Sequence, residues 1–350
     1  MFRAIAVLAV VLGHGSEFID IGVNSWFPVD GVDMFFVLSG FLIGRILLKQ
    51  DKTNDRSFFL NTLTFYKRRW FRTLPNYLLF LVINLIMIKI GVYDGILNIN
   101  SLAYFVFLQN FIKPLDLMFW ESWSLAVEEW FYLLFPLLIS IILIFSKPKS
   151  YKKSYLLICI LFLTVPLGLR IIQFDSSFGA NDVDLFIRKI VIYRLDTIAF
   201  GLLGAYIFTY FGNFFKKYSF IFFALGIVGI FFLKTYSFES NTLFRQTFYY
   251  SLQSLFILLW IPVIYRIEKT KSVINKPISF ISIISYALYL IHMPVLYLIT
   301  KYQISLGINT IDFIGYILIS IILSYFIYRI WEKPMTDLRN REFKILNFRF

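Results

Sequence analysis

This chain of 350 residues has a single cysteine, Cys159, and only two histidines, His14 and His292. One thiol forms no intramolecular disulfide, and inside an apolar run it is of the inert, buried kind. One cysteine and two histidines give no recognisable zinc-ligand spacing, so no metal is expected. Charge is scarce as well. Charged residues make up 16% of the chain and hydrophobic ones 59%, against about 25% and 45–50% in soluble domains, and the mean hydropathy is +0.74. That deficit excludes an ordinary soluble domain. Internal repeats, low-complexity tracts and a soluble-domain stretch are all missing.

What is present is a succession of apolar runs, many of them near the roughly 17–25 residues that let a helix cross a bilayer. They lie near 2–14, 32–48, 74–92, 123–145, 155–173, 187–211, 218–234, 246–265, 279–300 and 311–331. In lipid only helices and closed barrels satisfy the backbone, and barrel strands alternate every second residue, which these runs do not. The fold class predicted is an all-α, polytopic membrane helix bundle of about ten spans. The first run is short, about 13 residues or ~20 Å. Either upstream residues precede this start or the helix sits in a thinned region. No cleaved signal peptide is needed.

A further piece, 101–112, is too short to cross comfortably, and the cations decide its place. Lys and Arg gather in five groups: Arg45 to Arg72, Lys147 to Lys153, Lys216 and Lys217, Arg266 to Lys276, and Arg329 to Arg349. If 101–112 does not cross, all five fall on one face, the cytoplasmic one by the positive-inside bias. The expectation is therefore ten spans, both termini cytoplasmic, and 101–112 re-entrant or interfacial on the other side. Residues 1–335 form the membrane domain and 336–350 a basic tail, with no appended soluble domain. The net charge of +13 is explained by basic cytoplasmic loops, and no nucleic-acid partner is expected.

Ionisable residues within spans mark candidate sites. Arg3 and His14 are 11 positions apart, three turns plus about 20°, so they share a helix face about 16 Å apart. A cation at one end and a base at the other suit a long ligand; two snorkelling residues are the bland alternative. Glu128 and Glu129 open the fourth run, and adjacent helix positions diverge by about 100°, so at most one faces a given site. Asp33 begins the second run, where Ser39, Gly40 and Gly44 read as packing residues. Arg194 and Asp196 read as a buried pair, and His292 as a mid-span histidine, scaffold or substrate contact. "FYKRRWFRTLPNY" places four cations in six residues. They read as an orientation signal or as a clamp for phosphate, which Arg forks bind bidentately.

Together these stretches resemble the acyltransferase family 3 of integral-membrane O-acyltransferases. "FRAIAVLAVVLGHG" is similar to that family's opening motif, "GVDMFFVLSGFLIGRIL" to its second block and "FYKRRWFRTLPNY" to its basic block, with Arg68, Arg69, Arg72 and Pro75 in matching places. "WSLAVEEWFYLLFP" resembles its most recognisable stretch, with Glu128 at the family's steadier carboxylate. "RLDTIAFGLLGA", "SYALYLIHMPV" and "WEKPM" follow in order. The chain departs in lacking the polar lead-in before Arg3, in carrying Trp130 where many members have Gln, and in having no soluble esterase-like domain after the last run.

The resemblance implies transfer of an acyl group, usually acetyl, from cytoplasmic acyl-CoA to a hydroxyl of an envelope glycan or lipid-linked sugar. It implies a location in the bacterial inner membrane, with envelope-polysaccharide assembly proteins as candidate partners, and no permanently bound cofactor. Arg3, Arg68, Arg69 and Arg72 would hold the anionic end of acetyl-CoA. His14 would be the general base, oriented by Glu128 or, second, Asp33 in triad fashion. Arg194, Asp196 and His292 would bind substrate or be structural. Two other classes stay open: a transporter or flippase of lipid-linked sugars, and a membrane scaffold in envelope assembly. A transporter would be favoured by interrupted helices in matching halves, which are not found.

Overall fold

The computed structural model describes residues 1–21, 29–49, 55–116, 118–145, 151–236, 239–267 and 275–338. Lys52, Lys147, Lys149, Lys269, Lys271 and the tail from Arg339 onward lie outside the described residues. Every regular element among those described is helical: α1 (Phe2–Phe18), α2 (Gly31–Leu48), α3 (Asp55–Lys89), a 3-10 helix (Ile99–Val106), α4 (Ser122–Phe145), α5 (Tyr151–Ile172), α6 (Ala180–Val183), α7 (Leu195–Tyr210), α8 (Gly212–Lys217), α9 (Ser219–Thr235), α10 (Leu243–Gln246), α11 (Phe248–Leu258), α12 (Ile261–Ile267), α13 (Asn275–Lys301), α14 (Asn309–Ile327) and α15 (Lys333–Leu338). Seven helical stretches among the described residues are long and apolar enough to cross a membrane. The expected ten is reached only by counting α1, α7 and α9, of 17, 16 and 17 residues. At 1.5 Å per residue these are about 24–26 Å long, short of the roughly 30 Å hydrocarbon core. Apolar side chains such as Val228, Phe231 and Ile330 face outward, as a multi-pass membrane bundle requires.

Several boundaries depart from the sequence expectation. Helix α1 does not stop at 14 but continues to Phe18, so His14 lies one turn inside it. Gly15 makes this possible, because a Cβ there would come within 2.5 Å of the Tyr316 ring. The run 187–211 is not one helix: a single π turn (Asp184–Arg188) and a 3-10 turn (Val191–Tyr193) precede α7. Chain from elsewhere satisfies the backbone there. Val191 N–H donates to the Asn110 carbonyl at 2.9 Å, and the Asn110 amide donates to the Lys189 carbonyl at 2.7 Å. Irregular backbone is tolerated at depth where protein buries it. The run 246–265 breaks between α11 and α12 just before Pro262, which has no N–H to continue the ladder.

Helix α2 is the spine, packed against α1 and most extensively against α7. Gly40 and Gly201 let those two backbones touch: a Cβ on Gly40 would stand 1.9 Å from the Ile198 carbonyl oxygen, and one on Gly201 2.1 Å from that of Val37. Close approach through small residues is how membrane helices gain contact without a hydrophobic driving force. The packing role read for Gly40 is what the structure contains.

The bundle has two distinct ends. The start of α1, the end of α2, the first half of α3 and α12 meet at one of them, here the Arg3 end. The end of α1 and the starts of α2, α4 and α11 meet at the other, the His14 end. Helix α3 therefore leaves the Arg3 end and α4 begins at the His14 end, so the chain between them returns to the end it started from. Its 3-10 helix has eight residues, about 16 Å at 2 Å per residue, too short to cross. The segment is hydrogen-bonded to α3 and α4: Tyr77 Oη donates to the Tyr104 carbonyl at 2.7 Å and Trp130 Nε1 to that of Phe107 at 2.8 Å.

Candidate active site

At the Arg3 end, α3 carries Arg68, Arg69 and Arg72 at helical spacings that bring all three to one space. With Arg3 of α1 and Arg45 and Lys49 of α2 they line a cavity of about 750 Å³. Six cations round one cavity repel one another, an arrangement that favours an anionic guest. Arg45 is steadied by the faces of Phe208 and Tyr265, its guanidinium 4.9 and 5.5 Å from their centroids.

Beyond this cavity the space narrows to about 70 Å³. Arg3, Ser39, Arg69 and Arg72 line both spaces. Glu128 sits in the waist, where its Oε1 accepts from Ser39 Oγ at 2.8 Å and its Oε2 lies 3.4 Å from Arg69 Nη2. Arg69 also donates to the Tyr132 hydroxyl. Glu129, one position on, is buried and does not line the waist, in keeping with the 100° divergence expected of neighbours on a helix.

Val32 and Tyr289 belong to both the waist and a third space of about 790 Å³ at the His14 end. His14 lines it. Its Nδ1 is 2.9 Å from Nε2 of fully buried His292, and the two rings lie parallel within 4°. Around the same cavity Asp30 caps α2 by accepting from the Val32 N–H at 2.8 Å and pairs with Arg188. Arg188 also reaches Asp184 at 2.8 Å, and Lys189 pairs with Asp184. The Lys189 ammonium is 3.5 Å from the Trp120 ring centroid. Burial raises Asp30 and Asp184, but their cationic partners outweigh it and hold both below the ordinary carboxylate range. Burial pulls the Lys189 ammonium down to about 8. A cavity with aromatic walls, fixed hydrogen-bonding groups and an imidazole suits a polar, uncharged or zwitterionic guest.

The structure thus brings His14 together with His292, and Arg3, Arg69 and Arg72 with Glu128; Arg68 lines only the larger cavity. It does not form the expected contact between His14 and a carboxylate. Among the described residues neither Glu128 nor Asp33 hydrogen-bonds to His14, because each carboxylate is engaged elsewhere. Asp33, sealed in the core, pairs with Arg194 and accepts from Gln253 Nε2 at 2.7 Å. Arg194 and Asp196 are likewise buried, but not as a pair. The Asp196 carboxylate takes a two-pronged grip from Arg170, at 3.0 and 2.7 Å, and a bond from Ser251 Oγ at 2.6 Å. Arg194 stands just before α7 and Asp196 in its first turn, so the two side chains diverge. None of Asp33, Arg194 and Asp196 lines the three spaces. Sequence reasoning passed over Arg170, Ser39 as a polar group, and the Asp30–Arg188–Asp184–Lys189 cluster. Charged positions within and beside "NDVDLFIRK" were the available signal for the last.

The profile of the family described as "Acyltransferase domain" matches residues 1–329. Proteins named O-acetyltransferase OatA from Staphylococcus aureus, strains NCTC 8325 / PS 47 and COL, are each 28% identical to this chain over 374 residues, covering 99% of it and 57% of their own length. The chain therefore spans little more than half of the curated relatives it matches. No solved structure matches it.

Proposed function

Since this chain belongs to acyltransferase family 3, we propose that it moves an acyl group from acyl-CoA to a hydroxyl of a cell-envelope glycan or lipid-linked sugar. Acetyl is the group named in its relatives. The observation that carries the reading is the succession of three spaces: a cation-lined cavity, a waist and a histidine-bearing cavity that share walls. The anionic nucleotide end of acyl-CoA belongs with Arg3, Arg68, Arg69 and Arg72. Its long, thin pantetheine arm fits the waist past Ser39 and Tyr289, and its thioester comes to His14. We place the Arg3 end in the cytoplasm, where acyl-CoA is made and where the basic loops of a bacterial inner-membrane protein belong. The 3-10 helix then lies on the opposite, extracytoplasmic side.

The chemistry follows from the histidine pair. A shared N–H···N bond needs one donor. If His14 Nδ1–H donates to His292, its Nε2 lone pair is left for substrate. That nitrogen takes the proton of the acceptor hydroxyl as its oxygen attacks the acyl carbon. The carbon–sulfur bond breaks, and the imidazolium returns the proton to the departing thiolate. His292 does what a carboxylate does in a triad, fixing tautomer and ring orientation. Glu128, held by Ser39 and Arg69, keeps the waist cations in place.

The test is release of free CoA thiol from acetyl-CoA by the purified chain in lipid nanodiscs, with an envelope-glycan extract as acceptor. Wild-type protein should release thiol only when acceptor is present. His14→Ala should lose about 10²–10⁴-fold in rate while inserting normally, and Arg69→Ala should raise the KM for acetyl-CoA. Wild-type turnover in a correctly inserted His14→Ala protein would remove His14 from the mechanism.

A further inference from the structure

One carboxyl in the wall of the His14 cavity has no partner from another residue among the described residues. Glu121 stands immediately before α4, in "FWESW", and lines the cavity together with His14, Trp120 and Trp123. The residue is 1% exposed, and among the described residues no other residue donates a hydrogen bond to either carboxyl oxygen; only its own backbone N–H lies toward the carboxyl. Buried polar atoms are nearly always satisfied, so a carboxyl with both oxygens idle calls for an explanation. Its neighbours do not supply one. Tyr93 Oη donates to Asn84 at 2.7 Å and Tyr104 Oη to the Asp116 carbonyl at 2.5 Å. Tyr289 Oη donates to the backbone carbonyl of Glu121, at 3.0 Å, not to its side chain. Among the described residues no cation pairs with it, although Arg188 and Lys189 line the same cavity; Arg188 pairs with Asp30 and Asp184, and Lys189 with Asp184.

The backbone around Glu121 is fixed with some care. Its carbonyl also accepts from Ser124 Oγ at 3.3 Å, and Ser124 Oγ lies 2.6 Å from Tyr289 Oη. Tyr289 lines the waist as well as the cavity. The backbone that bears the Glu121 carboxyl is therefore anchored where the waist meets the His14 cavity. Burial pushes its carboxyl up to about 8, so near neutral pH it is mainly the acid, with one O–H to donate and one carbonyl oxygen to accept.

We propose that Glu121 binds the acceptor, its carboxyl taking the hydroxyl groups of a polyol, chemically a sugar, and presenting one of them to His14. This rests on the acyltransferase reading and adds to it the residue that receives the acceptor. Adjacent hydroxyls of a sugar ring match a group that both donates and accepts. The protein's own residues leave the carboxyl unsatisfied, and a bound polyol would satisfy it. Such a residue costs stability in the free protein and returns it as affinity, so removing it should make the protein sturdier and the acceptor weaker.

The experiment uses the full chain in nanodiscs, acetyl-CoA, and envelope-glycan extract titrated by hexosamine content. For Glu121→Leu the half-saturating extract concentration should rise about tenfold or more, the loss of a substrate hydrogen bond. The KM for acetyl-CoA should be unchanged and the melting temperature equal or higher. Glu121→Gln keeps one donor and one acceptor and should stay within about threefold of wild type. Unchanged half-saturation in Glu121→Leu alongside normal wild-type turnover would overturn the proposal and leave the acyltransferase reading intact. So would a lowered melting temperature in both variants, which would mark a structural role. A wild-type protein that releases no thiol with the extract would overturn both.

Discussion

At the scale of single residues, the site is organised by which partner each ionisable group finds. His14 has a histidine beside it where a carboxylate was expected, and this makes a specific prediction. His292→Leu removes the ring nitrogen that faces His14 Nδ1 without touching the cations of the Arg3 end. It should lower kcat by about 10²-fold or more with the KM for acetyl-CoA unchanged, whereas His292→Asn, which still offers a polar atom, should recover part of the rate. Steady-state kinetics on both variants checks this; equal losses in kcat and in acetyl-CoA affinity would speak against an orienting role. The spacing of Arg3 and His14 was legible in the sequence, because helix geometry makes 11 residues return to the same face, and both residues do line the succession of spaces. The His14–His292 contact was not legible, since 278 residues separate the two and nothing local to either encodes the other. The same holds for Asp196, whose partner Arg170 lies one helix away, and for Arg194, whose partner Asp33 comes from α2.

At the scale of elements, α2 and α7 form the contact that positions the rest. Helix α2 carries Asp33 and Ser39, and its register against α7 sets where Ser39 meets Glu128. A side chain on Gly40 has no room against the Ile198 carbonyl. Gly40→Ala should therefore destabilise the protein by roughly 1–3 kcal/mol, the usual cost of overpacking, and lower the rate by shifting Ser39. Gly168→Ala, inside α5 at a position where a Cβ meets nothing within 4 Å and away from the three spaces, is the matched control. Melting curves in detergent decide between them. The helices themselves were readable from apolar runs, because a bilayer demands length and apolarity together. The interruptions before α7 and between α11 and α12 were not readable as such. The first depends on the Asn110 amide and carbonyl, supplied from the far side of the 3-10 helix. The second has Pro262 as its only local sign, and prolines at 75, 136, 166 and 294 lie inside unbroken helices.

At the scale of the whole molecule, the count of crossings turns on helices that are short for a bilayer. Helix α9 is the sharpest case: if it crosses, Lys217 and Asn241 face opposite compartments. In a Cys159→Ala background, Lys217→Cys should react with an impermeant maleimide only from the cytoplasmic side and Asn241→Cys only from the other. Labelling of both from one side would remove α9 from the spans and split the basic groups between two faces. The succession of spaces has a further consequence for the cell. A path from one face of a membrane to the other threatens the ion gradients that the membrane maintains. Here the smallest of the three spaces, about 70 Å³, is bordered by Arg3, Arg69 and Arg72. Fixed guanidinium charge at a constriction repels hydronium and metal cations, as it does in selective pores. On the proposed reading, the residues that would hold the donor would also insulate the bilayer, so a thioester could be handed across while the proton-motive force stays intact.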